Sequence, residues 1–244
     1  MERNYNTYLS GMAKGECEKL FFMNYLCLDD YDIIIDFGCG GGSILKTCAE
    51  NSIAKCYGVD KDPFMRNVAG RNCANTNAII VENLKDIPIK NNEYVLVIFS
   101  SVLHEMESGW YEIEKYLHQF HNRLTIVVRD MYFEIDQVYP IECWEMAQIV
   151  RYSNPQLLAD FIERYGMKSN RQMYHYLLKY SYVDNWELEL QENYFSFNWN
   201  SLTDCATEIV YDRPYTLEAK RQKVQEHFGI DLTLPTHRQL IVRW

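Results

Sequence analysis

The sequence of 244 residues predicts an α/β protein in which a mostly parallel sheet has helices on both faces. Between residues 32 and 129, short apolar runs alternate with segments of helical periodicity. Strands that alternate with helices in this way form parallel sheets with right-handed crossovers. The run that begins at Tyr94 is almost continuously apolar, which is typical of a central parallel strand covered on both faces. These patterns favour one large α/β domain, alone or with a sizeable insertion.

The elements follow one another along the chain. The first part of the sequence predicts strands at 32–37, 55–60, 78–82, 94–100 and 123–129, with helices at 43–51, 63–73 and 108–121. Near the C terminus it predicts a strand at Ala206–Tyr211, a helix at Thr216–Phe228 and a last strand at His237–Arg243. Residues 1–30 have a helical pattern before the first strand, which predicts a helix packed on the sheet.

Residues 131–202 are longer than a plain connection needs and are crowded with aromatic side chains. Helical spacing recurs at 156–165 and 171–193, so we predict a mostly helical insertion between strands five and six. Such an insertion would cover the carboxyl ends of the strands, where sheets of this class bind ligands. An aromatic stripe at helical spacing more often belongs to a core than to a substrate pocket. The predicted division is therefore 1–130, 131–202 and 203–244, with the last part completing the sheet.

The composition excludes some classes of partner. A formal net charge of −10 argues against a surface that holds long nucleic acid through its phosphates. The small basic excess between Arg213 and Trp244 fits either a solvated helix face or a local anion site. No apolar stretch approaches the length of a membrane span, and the first residues do not form a signal peptide.

The eight cysteines are scattered and include no C-x-x-C pair. This usage is typical of buried, reduced thiols, and we predict a cytoplasmic protein. His118 and His121 have a spacing that can hold a metal ion. Because the nearby sequence offers no third ligand, a solvated helix face is favoured, and no metal site is predicted.

The glycine-rich segment 32–45 carries the strongest functional signal. A buried strand ends at Asp36, a turn with Gly38 and Gly40 follows, and Ser43 begins a helix. Backbone amides of such a loop can approach a nucleotide-like ligand. The dinucleotide fingerprint fails, since position 43 is Ser rather than Gly, and no Gly-Lys-Ser/Thr follows. A carboxylate at Asp36 would repel a pyrophosphate, whereas it suits a ligand that carries an ammonium and a sulfonium.

The spacing Asp36-x-Gly38-x-Gly40-x-Gly42 resembles the first motif of the class I, Rossmann-like methyltransferases, which use S-adenosylmethionine. The resemblance covers about residues 30–130 well and residues 206–244 loosely. It implies a doubly wound, mostly parallel seven-stranded sheet whose seventh strand is antiparallel and lies next to the fifth. In this family the N-terminal segment often folds over the cofactor, a position that Tyr5 or Tyr8 could take.

Three later segments support the resemblance. Asp60 ends the second predicted strand, where an acid accepts hydrogen bonds from both ribose hydroxyls. Asn83-Leu84 stands where the family has Asp-Ala, so Asn83 either pairs with the adenine edge or is a turn residue. Ser-Ser-Val-Leu-His after the fourth strand resembles the small-molecule methyltransferases. The resemblance implies a cofactor site that comprises Asp36, Gly38, Cys39, Gly40, Asp60, Lys61, Asn83, Leu84 and Ser100.

We therefore predict an enzyme that transfers a methyl group from S-adenosylmethionine to a small molecule and releases S-adenosylhomocysteine. Two alternatives remain: an enzyme that modifies RNA or a nucleotide, in which aromatic side chains would stack on a base, and a non-catalytic S-adenosylmethionine-binding partner protein. His104 is the candidate general base, and its alternative role is to position the loop after the fourth strand. Arg129 and Asp130, at the end of the fifth strand, either contact substrate or pair with each other.

Overall fold

The computed structural model describes Tyr5, residues 16–106 and residues 109–244. Tyr8 and most of the predicted N-terminal helical pattern lie outside the described residues. No described helix is both long and apolar enough to cross a lipid bilayer.

Seven strands form one sheet with the order β3-β2-β1-β4-β5-β7-β6. The strands are β1 (Ile33–Phe37), β2 (Lys55–Val59), β3 (Ile79–Val81), β4 (Val95–Ser100), β5 (Leu124–Met131), β6 (Glu208–Tyr215) and β7 (His237–Arg243). The α-helices are α1 (Glu16–Lys19), α2 (Ser43–Glu50), α3 (Pro63–Asn72), α4 (Trp110–Leu117), α5 (Cys143–Tyr152), α6 (Pro155–Tyr165), α7 (Asn170–Lys179), α8 (Trp186–Glu189), α9 (Asn200–Thr203) and α10 (Glu218–Phe228). This architecture confirms the predicted Rossmann-like α/β fold.

Strand β1 lies at the centre of the parallel part of the sheet. It pairs in parallel with β2 on one side and with β4 on the other. Ile33, Ile34 and Ile35 are completely buried because helices or loops cover both faces of the strand. The continuous apolar sequence of this strand is therefore a consequence of its central position.

Strand β7 runs antiparallel to β5. The backbone N–H of Trp244 donates to the carbonyl of Leu124 (3.0 Å), and that of Tyr132 donates to the carbonyl of Thr236 (2.9 Å). The partner number falls along one strand as the number rises along the other, which is the pattern of an antiparallel pair. The position of the seventh strand next to the fifth, which the family resemblance implied, is thereby confirmed.

Strand β6 is longer than predicted and continues through Pro214 to Tyr215. Proline has no N–H to donate to a neighbouring strand, so its presence in a sequence predicts that a strand ends before it. The sheet order places β6 at an edge, where one side of the strand needs no partner. The edge position explains why the proline is tolerated.

The chain forms two compact units. We call the first the sheet unit; it comprises the described residues from Glu16 to Asp130 together with Phe197–Arg213 and Gln239–Trp244. We call the second the helical unit; it contains Met131–Ser196 and Pro214–Arg238. Residues 214–238 thus group with residues 131–196. The three-part division at 130 and 202 stays a prediction.

The aromatic side chains of the helical unit pack mainly with one another. Helix α7 is its inner helix and buries almost all of its residues. The ring of Tyr176 contacts the rings of Phe161, Trp186 and Phe228, with centroids 5.2, 6.1 and 6.5 Å away. The helical spacing predicted over 171–193 is interrupted by a 3-10 turn at Tyr180–Asn185. Much of the aromatic stripe is therefore core.

Candidate active site

The candidate site lies in the sheet unit, in the loops that follow the parallel strands β1 to β4 and at Arg129 and Asp130 of β5. Carboxyl ends of parallel strands meet at one edge of a sheet, and ligands of open α/β sheets bind there. The loops after β1 and β2 are neighbours because the two strands pair over their whole length. The end of β4 lies next to β5, since Ser100 pairs with Arg129.

The loop between β1 and α2 depends on glycine. Gly38, Gly40 and Gly42 have φ values of 70°, 49° and 77°, in the left-handed region that side chains disfavour. A Cβ atom at Gly38 would also lie 2.6 Å from Cγ2 of Val102, closer than two carbons approach. Substitution at Gly38 would therefore displace the loop that follows β4. The motif glycines keep these two loops close together.

The Asp60 carboxylate joins the glycine loop to the loop after β2. Its Oδ2 accepts a hydrogen bond from the backbone N–H of Gly40 (2.8 Å), and its Oδ1 accepts one from the N–H of Asp62 (2.9 Å). A carboxylate oxygen has two lone pairs, so each oxygen retains capacity for a second donor. The side chain is half-buried at the end of β2. It could accept bonds from two adjacent hydroxyls of a ligand.

Arg66 was not singled out from the sequence. Its Nη1 donates to the carbonyls of Asp60 and Lys61, each at 2.9 Å, and its Nη2 donates to Glu82 (3.0 Å). The guanidinium therefore ties the end of β2 to the end of β3. The sequence did contain a signal for this role, an arginine six residues after Asp60 in the first turns of α3.

The Asp36 carboxylate is buried within the glycine loop. The side chain is 2% exposed, and its Oδ2 accepts a hydrogen bond from the backbone N–H of Leu45 (3.2 Å), in the first turn of α2. Burial raises the pKa of this carboxyl to about 7; the Leu45 bond and the charge of Lys19 oppose the rise, and the charge of Asp60 adds to it. The carboxylate has a partner in the first turn of α2, and its direct contact with a ligand stays a prediction.

The raised pKa predicts that Asp36→Asn gains stability relative to the wild type as the pH rises. The folded-state pKa of about 7 exceeds the ordinary value of 3.8, so the folded wild type binds more protons between these values than the unfolded chain does. Its free energy of unfolding then falls as pH rises through this window. The free energy of unfolding of both proteins is measured in urea without cofactor at pH 5 and pH 8. We expect the value for Asp36→Asn, relative to that of the wild type, to be about 2–3 kcal/mol higher at pH 8 than at pH 5. A difference independent of pH would contradict the prediction.

The remaining predicted cofactor residues are distributed over the same loops. Cys39 is buried, and its thiol pKa is raised mainly by desolvation. Lys61 is exposed. Asn83 is exposed and precedes a 3-10 turn at Leu84–Asp86; its backbone N–H donates to the Asp86 carboxylate (3.2 Å). The turn role considered from the sequence is thus present, while a contact with adenine stays a prediction.

Leu84 and Ser100 contribute different kinds of side chain to the candidate site, one apolar and one polar. Leu84 is 7% exposed and contributes mainly to packing. Ser100 ends β4, and its Oγ is buried without a hydrogen-bond partner among the described residues. A buried hydroxyl without a partner costs about 1–3 kcal/mol. An orphaned hydroxyl at the carboxyl end of a central strand is a group that a ligand could satisfy.

His104 and Asp130 form a buried pair next to this strand end. They are 6% and 1% exposed, and Nδ1 of His104 lies 2.5 Å from Oδ1 of Asp130. The other carboxylate oxygen, Oδ2, accepts hydrogen bonds from the backbone N–H groups of Val102 (2.8 Å) and Leu103 (2.6 Å). Asp130 therefore holds both the histidine ring and the backbone of the turn that carries it.

The structure shows a different partner for each of Arg129 and Asp130, which were weighed as a mutual pair. Arg129 Nη1 donates to Oγ of Ser101 (2.5 Å), whereas Asp130 holds His104. Successive residues of a strand point to opposite faces of the sheet. Ser101 has a φ of 59°, unusual for a residue with a side chain. The contact of Asp130 with His104 is a feature of the candidate site that sequence reasoning missed.

Comparison with known proteins supports one interpretation of this site. The methyltransferase domain family matches residues 35–125. An S-adenosylmethionine-dependent methyltransferase from Mesorhizobium loti is 15% identical over 96% of this chain and 99% of its own, with a TM-score of 0.55. A second such protein, from Listeria monocytogenes and described as putative, is 15% identical over 93% of this chain and 99% of its own, with a TM-score of 0.54.

A third similar structure is the plantazolicin methyltransferase BamL, solved in complex with a triazolic desmethylPZN analog and SAH. It is 7% identical over 98% of this chain and 90% of its own, with a TM-score of 0.52. At these identities the structural matches show the fold. No curated protein matches the chain in sequence.

Proposed function

We propose that this chain, whose residues 35–125 match the methyltransferase domain family, uses S-adenosylmethionine to methylate a small molecule whose accepting atom keeps its proton at neutral pH, as a hydroxyl oxygen does. The observation that carries the proposal is the buried pair of His104 and Asp130 at the carboxyl end of the sheet. An acceptor of this kind needs a base, whereas an acceptor that is already deprotonated does not.

The residues of the sheet unit fit the cofactor. The left-handed glycines let the loop backbone approach a ligand closely. Asp60 would accept the two ribose hydroxyls on the lone pairs that Gly40 and Asp62 leave available. The orphaned Ser100 hydroxyl would gain a partner on binding. The bound cofactor supplies an electrophilic methyl group on a sulfonium.

His104 would take the proton of the acceptor. A carboxylate has no proton to donate, so the neutral ring carries its proton on Nδ1, facing Asp130, and its lone pair on Nε2. The negative charge of Asp130 also stabilises the imidazolium that forms when Nε2 accepts a proton. The backbone bonds from Val102 and Leu103 to the same carboxylate fix the position of the ring. Asp130 is then a positioning residue.

A small molecule is favoured over RNA on electrostatic grounds. The net charge of −10 opposes the binding of a long polyanion. The aromatic side chains that could have stacked on bases are largely packed in the core of the helical unit. A local basic site for a nucleotide remains the alternative, since the segment from Arg213 contains several basic residues.

The acceptor class is tested with cofactor labelled in its methyl group. Purified wild-type protein is incubated with pooled small-molecule hydroxyl and amine acceptors and, separately, with total RNA and with mononucleotides. We expect protein-dependent label in hydroxyl-bearing small molecules, lost in His104→Gln. Label that enters only RNA or nucleotides, or only amines and without dependence on His104, would contradict the proposal.

A further inference from the structure

Glu114, His118 and Cys205 form a cluster in the sheet unit that the proposed function does not use. One ligand atom from each residue lies within 4.8 Å of the ligand atoms of the other two. Sγ of Cys205 is 3.9 Å from Nε2 of His118. Cys205 follows His118 by 87 positions, so the chain topology brings together a set that the local sequence does not contain.

The backbone explains why these side chains converge. Glu114 lies on α4, and His118 begins the 3-10 turn His118–Phe120 that continues the helix. Residues four apart lie on the same face of a helix. Cys205 comes shortly after α9 and is partly exposed. The three side chains therefore come from two segments of the sheet unit.

The imidazole of His118, an exposed residue, stacks on the ring of Trp244. The two rings stack with centroids 4.7 Å apart and planes 24° apart. Trp244 is 1% exposed, and its Nε1 donates to the carbonyl of Leu202 (3.0 Å). A ring fixed by packing loses little freedom when its nitrogen binds a ligand. His121, the partner considered from the sequence, has its ring centroid 6.5 Å from that of His118.

The donor set matches zinc more closely than calcium or magnesium. Zinc binds cysteine, histidine and carboxylate ligands, whereas calcium and magnesium prefer oxygen alone. Zinc–sulfur and zinc–nitrogen bonds of about 2.3 and 2.05 Å at a tetrahedral angle place the two donor atoms about 3.6 Å apart. The observed 3.9 Å requires little movement. Three protein ligands leave a fourth position for water.

Two carboxylates contribute negative charge near the thiol of Cys205. They belong to Glu114, a member of the cluster, and to Asp204, the residue before Cys205. A divalent cation would offset this negative charge and deprotonate the thiol on binding. The cluster thus combines convergent donors with an excess of negative charge.

We propose that Glu114, His118 and Cys205 bind a zinc ion. The ion would link the end of α4 to the segment that leads into β6, and thereby stabilise the edge of the sheet unit. A link between residues so distant in sequence stabilises the folded chain as a crosslink does.

Metal titrations of the EDTA-treated, full-length protein test the proposal. We expect one zinc ion per chain, a higher melting temperature with zinc, and a near-ultraviolet thiolate-to-metal band when cobalt(II) replaces it. Cys205→Ser should remove the band and weaken zinc binding at least tenfold. Glu114→Gln, which keeps the thiol, should weaken zinc binding while retaining a cobalt band, and it provides the decision if Cys205→Ser does not fold.

Two variants serve as matched controls. Cys143→Ser removes an exposed cysteine of the helical unit, and His121→Gln removes the neighbouring histidine; both should bind zinc like the wild type. Absence of zinc binding by the wild type, or an unchanged affinity in both Cys205→Ser and Glu114→Gln, would overturn the proposal. None of these measurements depends on methyl transfer.

Discussion

Asp130→Asn is expected to lower turnover by about 10²–10⁴-fold, with little change in the affinity for S-adenosylmethionine. The loss of turnover follows from the orientation that the side-chain amide of asparagine would have to adopt at this position. In the wild type, Oδ2 accepts hydrogen bonds from two backbone N–H groups, those of Val102 and Leu103. Only the carbonyl oxygen of asparagine can replace it there, so the amide NH₂ must face His104.

An NH₂ group that faces Nδ1 of His104 reverses the proton arrangement of the ring. Nδ1 must then accept a hydrogen bond, so the proton of the neutral ring moves to Nε2. A ring protonated on Nε2 cannot take a proton from the acceptor through that atom. The imidazolium would also lose the carboxylate that stabilises it. The substitution therefore removes the base while it preserves the shape and the backbone bonds of the site.

Three measurements separate this role from a purely structural one. The acidic limb of the pH–turnover profile of the wild type, caused by protonation of His104, should disappear in His104→Gln. The double variant Asp130→Asn/His104→Gln should be no slower than the worse single variant, because the two residues act as a unit. Glu93→Gln alters another buried carboxylate that accepts a backbone bond (Lys90 N–H, 2.6 Å), and it should leave turnover within about twofold. Turnover of Asp130→Asn within threefold of the wild type would contradict the role.

The positions of the strands along the chain were accessible from the sequence because their signals are local, whereas the place of the seventh strand was implied by the family resemblance. The apolar runs of β1 and β4 indicate burial on both faces, and Gly38 and Pro63 mark the ends where loop and helix begin. The predicted β6 was too short. A proline such as Pro214 indicates the end of a strand unless the strand is known to lie at an edge of the sheet. Edge position is a property of the assembled sheet.

The pair of His104 and Asp130 could not be read from spacing because it depends on strand register. Residues 104 and 130 are 26 positions apart, and they meet because β4 and β5 align Ser100 with Arg129. Strand alternation did carry a usable signal, since adjacent residues such as Arg129 and Asp130 point to opposite faces and are poorly placed to pair. The contact of Cys205 with His118 is even harder to predict from spacing, because the two residues are 87 positions apart and meet only when the C-terminal segment is folded.

Asp36 shows how a correct motif leaves the role of its residue open. The sequence argument used the charge of this carboxylate against a pyrophosphate ligand. The structure buries the side chain and gives it the Leu45 N–H as a partner. Burial depth depends on how α2 packs on the sheet, which the motif does not specify. The acid therefore holds the start of α2 whether or not it also contacts the ligand.

Asp60→Asn is expected to weaken S-adenosylhomocysteine binding by about 10²-fold, since hydrogen bonds to a charged acceptor contribute about 1.5–3 kcal/mol each. Asparagine presents one NH₂ where the carboxylate has an acceptor. Since Oδ2 accepts the N–H of Gly40 and Oδ1 that of Asp62, the NH₂ must face one of these two backbone donors in either orientation. Calorimetry measures the loss. Asp62→Asn is the matched control, because an asparagine can still accept the bond from Phe64 N–H (2.8 Å) that begins α3, and its affinity should stay within about twofold.

A weaker affinity in Asp60→Asn has two possible origins, lost bonds to the ribose or a displaced glycine loop, and a thermodynamic cycle distinguishes them. S-adenosylhomocysteine is compared with its 2′-deoxy analogue on wild type and variant. If Asp60 accepts the ribose hydroxyls, removal of the 2′-hydroxyl weakens binding to the wild type about tenfold or more and changes the affinity of the variant little, so the two changes are coupled. If the carboxylate only holds Gly40 in place, both proteins lose the same factor with the analogue. That additive result would assign Asp60 to the architecture of the loop and leave the ribose contact to another group.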